Sequence, residues 1–121
     1  MAVGVDLDFA ETVLNLRNKY PITLECAIPC PNQTLKWSDT DKLRYDSILK
    51  RADKVSLISK RYDTECMLKR NRYIVDKSEL VIAIFNGIEK GGAWYTISYA
   101  KKRNKVIEMI ELNKINNLFE K

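Results

Sequence analysis

Leu80-Val-Ile-Ala-Ile-Phe85, followed by Asn86-Gly87 and Gly91-Gly92, a short amphipathic segment and a second apolar run over 106–110, decides the fold. The order predicts strand, glycine-rich loop, helix and strand. An apolar run without polar alternation suits a strand buried on both faces, the habit of parallel sheets covered by helices. Ala93, Ile97 and Ala100 recur at i, i+4 and i+7, which gives the intervening helix one face for packing on that sheet. The glycines permit close backbone approach. Free N–H groups in the first helical turn, at the positive end of the helix dipole, form an anion site suited to a phosphate or ribose-phosphate. A Gly pair serves equally well as an ordinary turn.

Outward from this unit the chain alternates. Asp6 or Asp8 is placed to cap a first helix to about residue 18, with Phe9, Ala10, Val13 and Leu14 inward and Pro21 after it. Residues 22–29 read as a strand, followed by a polar loop with Pro31, Asn32 and Trp37. Ser38 with Asp41 resembles a capping box, and Tyr45, Ile48, Leu49 and Ala52 supply the stripe of a helix over 39–52. A short strand over 55–59, a loop, and a helix over 66–77 with Met67, Ile74 and Val75 at apolar spacing complete the chain up to Leu80. Residues 112–121 read as a polar tail able to form one more amphipathic turn. Helix and strand alternate four times, which predicts a single α/β domain over 1–121, in three layers around a mostly parallel sheet of four strands.

At 121 residues the chain holds one core and not two. Hydrophobic residues at 45% and charged residues at 31% exclude disorder as the native state. No apolar stretch reaches bilayer length and no secretion signal opens the chain, so a cytoplasmic location is expected. Cys26, Cys30 and Cys66 follow no disulfide framework, and the absence of histidine removes the commonest metal ligand and general base. No metal is expected. The net charge of +5 comes mostly from scattered lysines and arginines that suit solvated helix faces. It leaves nucleic acid as a weak partner class, since no aromatic-basic reading motif accompanies it.

Several residues break the pattern. Asn71 lies between Met67 and Ile74 on the apolar stripe, where a carboxamide needs buried partners. Asp76 falls near the C-terminal end of the same helix, where the dipole disfavours a negative charge. Arg70 or Arg72 one turn back, or a ligand hydroxyl, would compensate it; a purely structural network is the alternative. Arg70 and Arg72 can also fork onto a phosphate. Trp37 and Tyr45, and Trp94 and Tyr95 at the Gly-Gly entrance, lie in and after loops at the carboxyl ends of strands, where ligands bind in parallel α/β folds. They can stack on a base or cover the domain edge.

These residues also carry a resemblance. Ala2-Val3-Gly4-Val5-Asp6, Ala27-Ile28-Pro29 with Trp37 and Tyr45, Met67-x-x-Arg70-Asn71-x-Tyr73-x-Val75-Asp76, and Gly91-Gly92-x-x-x-Thr96-x-x-x-Ala100 resemble the YpsA-like branch of the SLOG superfamily. That superfamily also holds DprA-type DNA-processing proteins and LOG-type nucleotide phosphoribohydrolases. The resemblance implies a Rossmann-like fold whose glycine-rich turns hold a nucleotide or nucleotide-derived ligand. By position it puts Gly4, Asp6, Arg70, Asn71, Asp76, Gly91, Gly92 and Thr96 around the pocket, with Trp37 as an added stacking candidate. In the family layout further strands and a glycine-basic turn precede Ala2, so the chain reads as an N-terminally truncated version. The phosphoribohydrolase pattern places a glutamate one turn into the Gly-Gly helix, where this chain has Ser98 and Tyr99. Without that carboxylate N-glycosidic cleavage lacks an evident acid or base.

The leading expectation is a small cytoplasmic protein that binds a nucleotide-type ligand for sensing or sequestration, without turnover and without a further cofactor. A second reading is a phage- or mobile-element-encoded inhibitor acting through self-association or on a host protein. A third is a phosphoribohydrolase with Asp76 as its relocated carboxylate, and a fourth, DprA-like association with single-stranded nucleic acid, rests on the charge balance alone. Strand edges left open by the truncated layout predict a homo-oligomer.

Overall fold

A computed structural model describes residues 4–111. The tail expected over 112–121 lies outside them. Four helices and four strands alternate: α1 (Val5–Leu16), β1 (Glu25–Ile28), α2 (Asp39–Arg51), β2 (Lys54–Leu57), α3 (Cys66–Lys77), β3 (Leu80–Phe85), α4 (Gly92–Lys102) and β4 (Val106–Glu111). The fold is α/β and Rossmann-like, with every strand pair parallel. Its strands pair two by two, β1 with β2 and β3 with β4. The chain divides into two compact units, the first ending at Arg70 and the second beginning at Asn71.

The first unit is α1 followed by one β-α-β element. Its core joins Leu7, Ala10 and Leu14 of α1, Leu24, Cys26 and Ile28 at β1, and Tyr45 and Ile48 of α2. Neither Asp6 nor Asp8 caps α1. The N-cap is Gly4 at φ 86°, and the Asp8 amide already donates to the Gly4 carbonyl at 3.1 Å, so both aspartates lie in the first turn. The earlier start rotates the helix: Leu7 is buried in place of Phe9, which is 55% exposed. Ser38 caps α2 as expected, its hydroxyl accepting from the Asp41 amide at 3.2 Å. Arg44 of α2 reaches across to Asp8 and Glu11 of α1, so the two helices are tied by charge as well as by the core. Asp53 fastens the strand entrances, accepting from the Leu24 amide at 2.8 Å and from Arg17 at 3.2 Å.

The second unit holds the rest of α3 and a second β-α-β element. Leu80–Phe85 aligns with Val106–Glu111 residue for residue. Val75, Val81 and Ala100 form its small core, flanked by Tyr99 and Ile107. Both-face burial of the 80–85 run does not hold. Val81 and Phe85 are buried, but Leu80 and Ile82 are about half exposed, because the packed face is the one that carries Val81. Ile97 and Ala100 are fully buried on α4 as their spacing requires, whereas Ala93 is exposed. On α3 the buried positions are Cys66, Arg70 and Val75, and Met67 and Ile74 turn outward.

Candidate functional site

The entrance to α4 is a loop closed by small local bonds. Asn86 Oδ1 accepts from the Ile88 amide at 3.0 Å, an Asx turn that bends the chain just after β3. Gly91 then takes φ 89°, a left-handed conformation that a side chain would strain. It is the N-cap, and no side chain caps the helix. A Cβ built on Gly91 or Gly92 would meet nothing within 4 Å, so the approach to the first turn is open. Thr96, one turn in, gives its hydroxyl proton to the Gly92 carbonyl at 2.9 Å. Trp94 does not stand free for a base: it stacks on Phe85, centroids 5.6 Å apart and planes 25° apart, and the Lys101 ammonium lies over its ring, 5.5 Å from the centroid.

Asp76 has a protein answer to its unfavourable helix position. Tyr99 Oη donates to both carboxylate oxygens at 2.9 and 3.0 Å, and Arg103 Nε donates to Tyr99 Oη at 3.0 Å. Arg103 also lies 3.5 Å from Asp76. The compensation thus comes from α4, not from Arg70 or Arg72, and the hydroxyl is a tyrosine's. Tyr99 stands in the region where the phosphoribohydrolase pattern has its glutamate, and here it is spent on holding Asp76. The tyrosine and arginine at i and i+4 were a readable pair that the sequence reading passed over. Asn71, on the same helix, is half-buried.

In the first unit the surprise is Arg70. It is 6% exposed, and burial pushes its pKa below the usual guanidinium value, opposed by the charge of Asp6 and by Cys66 and Cys30. Asp6 and Arg70 are thus brought into one electrostatic neighbourhood, with Gly4 at the entrance of the helix that carries Asp6. Trp37 packs edge-on against Tyr45, centroids 5.3 Å apart at 83°, and against the first unit's core. It covers an edge of that core. Among the described residues no group of three or more histidine, cysteine or carboxylate side chains could hold a metal, and no helix is long and apolar enough to cross a membrane.

Comparison with known proteins gives the family. The model of the YspA SLOG family (YpsA) matches residues 1–116. A UPF0398 protein of Halalkalibacterium halodurans is 33% identical over 106 residues, which are 85% of this chain and 56% of the relative. UPF0398 proteins of Bacillus cereus and Bacillus thuringiensis are 30% identical over 107 residues, 86% of this chain and 58% of theirs. The chain spans rather more than half the length of the curated relatives it matches. It belongs to the YpsA family of the SLOG superfamily.

Proposed function

We propose that this cytoplasmic member of the YpsA family binds a nucleotide or nucleotide-derived ligand through the entrance of α4, and that it senses or sequesters the ligand without turning it over. The observation that carries this reading is the uncapped first turn of α4: Gly91 at φ 89°, no capping side chain, and open space over Gly91 and Gly92. First-turn N–H groups left to solvent at the positive end of a helix are ready donors for a phosphate. Thr96 adds lone pairs one turn further in. Asp76, held by Tyr99 and Arg103, is poorly placed to serve as a general acid or base as well.

A thermal-shift panel of nucleoside mono- and diphosphates, cyclic nucleotides and ADP-ribose-type compounds tests it. At least one class should raise the melting midpoint, since a ligand at a hundred times its Kd adds about 2.7 kcal/mol. Gly92 lies in the helix at ordinary φ with no neighbour to clash, so Gly92→Val should fold and lose most of that shift. Unchanged affinity in folded Gly92→Val removes the site. Chromatography after long incubation with nucleoside monophosphates should find no free base; base release that disappears in Asp76→Asn would make the protein an enzyme.

Self-association is a second reading, favoured by one observation. Leu80 (50%), Ile82 (52%) and Val106 (66%) are exposed, and Leu80 pairs with Val106 across the β3–β4 ladder. An aliphatic row of that kind is a natural seat for a second copy. Light scattering at micromolar concentration should return a mass above the 14.1 kDa of one chain; a stable folded monomer would exclude it.

A further inference from the structure

Helix α1 is apolar on two sides. Leu7, Ala10 and Leu14 turn into the core of the first unit. On the far side Val5, Phe9 and Leu16 fall on one line along the helix, at steps of four and seven residues, and are 48%, 55% and 40% exposed. Exposed Thr12 lies on that line between Phe9 and Leu16, its hydroxyl already donating to the Asp8 carbonyl at 2.8 Å. Past the helix the Tyr20 amide donates to the Leu16 carbonyl at 3.0 Å, so the line runs on by a turn to Tyr20, which is 55% exposed. An aromatic ring left half wet keeps roughly 100 Å² in water. With two aliphatic side chains beside the two rings, the stripe reaches the roughly 300–600 Å² of the largest patches on monomers, which often serve recognition.

The order of residues indicates what covers it. Positions 5, 9, 12 and 16 are spaced by four, three and four residues, the rhythm of a two-helix seam. Read from the other end the rhythm is the same. A second α1 laid antiparallel therefore sets Val5 against the partner's Leu16 and Phe9 against the partner's Thr12, and a twofold axis repeats both contacts. Charge selects the antiparallel sense. Asp6 and Asp8 lie in the first turn, and Arg17 and Lys19 follow the last. Antiparallel helices bring acidic end to basic end and oppose their dipoles, whereas parallel ones would bring like to like. We propose that α1 is a homodimer interface, two copies joining antiparallel along Val5, Phe9, Thr12 and Leu16. This surface is separate from the Leu80–Val106 row and depends neither on it nor on ligand binding. Two such stripes bury an area at the low end of specific interfaces, below about 1,200 Å² in total, so the dimer is weak and concentration-dependent.

Sedimentation velocity of the full chain, from low to several hundred micromolar, should show the mass climbing from 14.1 kDa toward twice that value. Phe9 is outside the core, so Phe9→Arg should keep the parent's circular dichroism spectrum. It should weaken the dimer more than about tenfold, because an unpaired charge then sits in an apolar seam. Ile82→Arg is the control and should dimerise like the parent. Zero-length carbodiimide coupling should join Lys19 to Asp6 or Asp8. Within one chain these groups are thirteen and eleven residues apart along α1, roughly 16–20 Å, so such a link joins two copies. If Phe9→Arg does not fold, Leu16→Lys takes its place, and the link in the parent decides the matter by itself. A parent that stays monomeric at the highest concentration overturns this proposal together with the β3–β4 reading. Association that survives undiminished in folded Phe9→Arg overturns this one alone, as does a dimer whose links never join Lys19 to Asp6 or Asp8.

Discussion

The two units are built from the same parts, a helix followed by a parallel β-α-β pair, and they bury their leading strands differently. In the first unit three consecutive residues of β1, Cys26, Ala27 and Ile28, are all buried. In the second, the far more aliphatic β3 alternates, with Val81 and Phe85 in and Leu80 and Ile82 out. Coverage, not apolarity, therefore decides whether a strand has one buried face or two. β1 shares one core with both α1 and α2. The core of β3 is Val75, Val81 and Ala100 with Tyr99 and Ile107, on one side of its sheet.

The sharpest test is a pair of truncations. Leu14 is 1% exposed in the first core, and Leu14→Ala should cost about 2–5 kcal/mol, the range for buried leucines. Ile82, 52% exposed, should lose less than about 1 kcal/mol on the same change, since most of its surface is already wet. The chain carries one tryptophan in each unit, Trp37 and Trp94. Trp94→Phe and Trp37→Phe backgrounds let urea unfolding be followed by fluorescence in each unit separately. The Trp37 midpoint should drop steeply with Leu14→Ala. Equal losses for Leu14→Ala and Ile82→Ala would mean that the Leu80–Ile82 face is covered in solution, and the contrast between the units would disappear.

A smaller effect is expected at Tyr99, which the second unit uses where the first uses Arg44. Tyr99→Phe keeps the ring and removes the hydroxyl that links Asp76 to Arg103. The loss should be about 1 kcal/mol, the net value of an ordinary hydrogen bond, and should be read by Trp94 and not by Trp37. A Trp37 midpoint that moved with it would show the two units unfolding as one.

Much of this was legible in the chain and some was not, for physical reasons. The 80–85 and 66–77 elements and the Ser38 cap were fixed by local signals: aliphatic runs, helical spacing and a side chain with one good hydrogen bond to make. The start of α1 was not, because a glycine in a positive-φ N-cap looks like any other glycine, and an aspartate beyond it looks like a cap. Which side of α3 faces inward was also hidden. Arg70 and Cys66 are buried there while Met67 and Ile74 are not, an arrangement that apolar periodicity reads backwards. The Gly-Gly entrance was readable as geometry, but the same signal serves a plain turn, so its ligand is a matter for the binding panel.

The weakest and most specific difference between the units should appear in acid. In the first unit the Leu24 amide, and after it Arg17, hold the Asp53 carboxyl below the usual carboxylate range. The Glu65 amide and Lys69 do the same for Asp63. A carboxyl whose folded pKa is depressed binds its proton more readily in the unfolded chain. The stability it contributes is therefore complete above the ordinary aspartate pKa of roughly 3.9, and is lost as pH falls from there through the folded value. Both groups are solvent-facing, so the effect should be modest and should shrink in high salt. The Trp37 midpoint should consequently slide down on acidification through that range, and Asp53→Asn should start lower at neutral pH and slide less. The amide replacing Asp53 can still accept from Leu24 but no longer attracts Arg17, which separates the charge from the hydrogen bond. If Asp53→Asn kept the parent's full acid slope, the acid sensitivity of the first unit would have to be assigned to Asp63 and its partners at the start of α3.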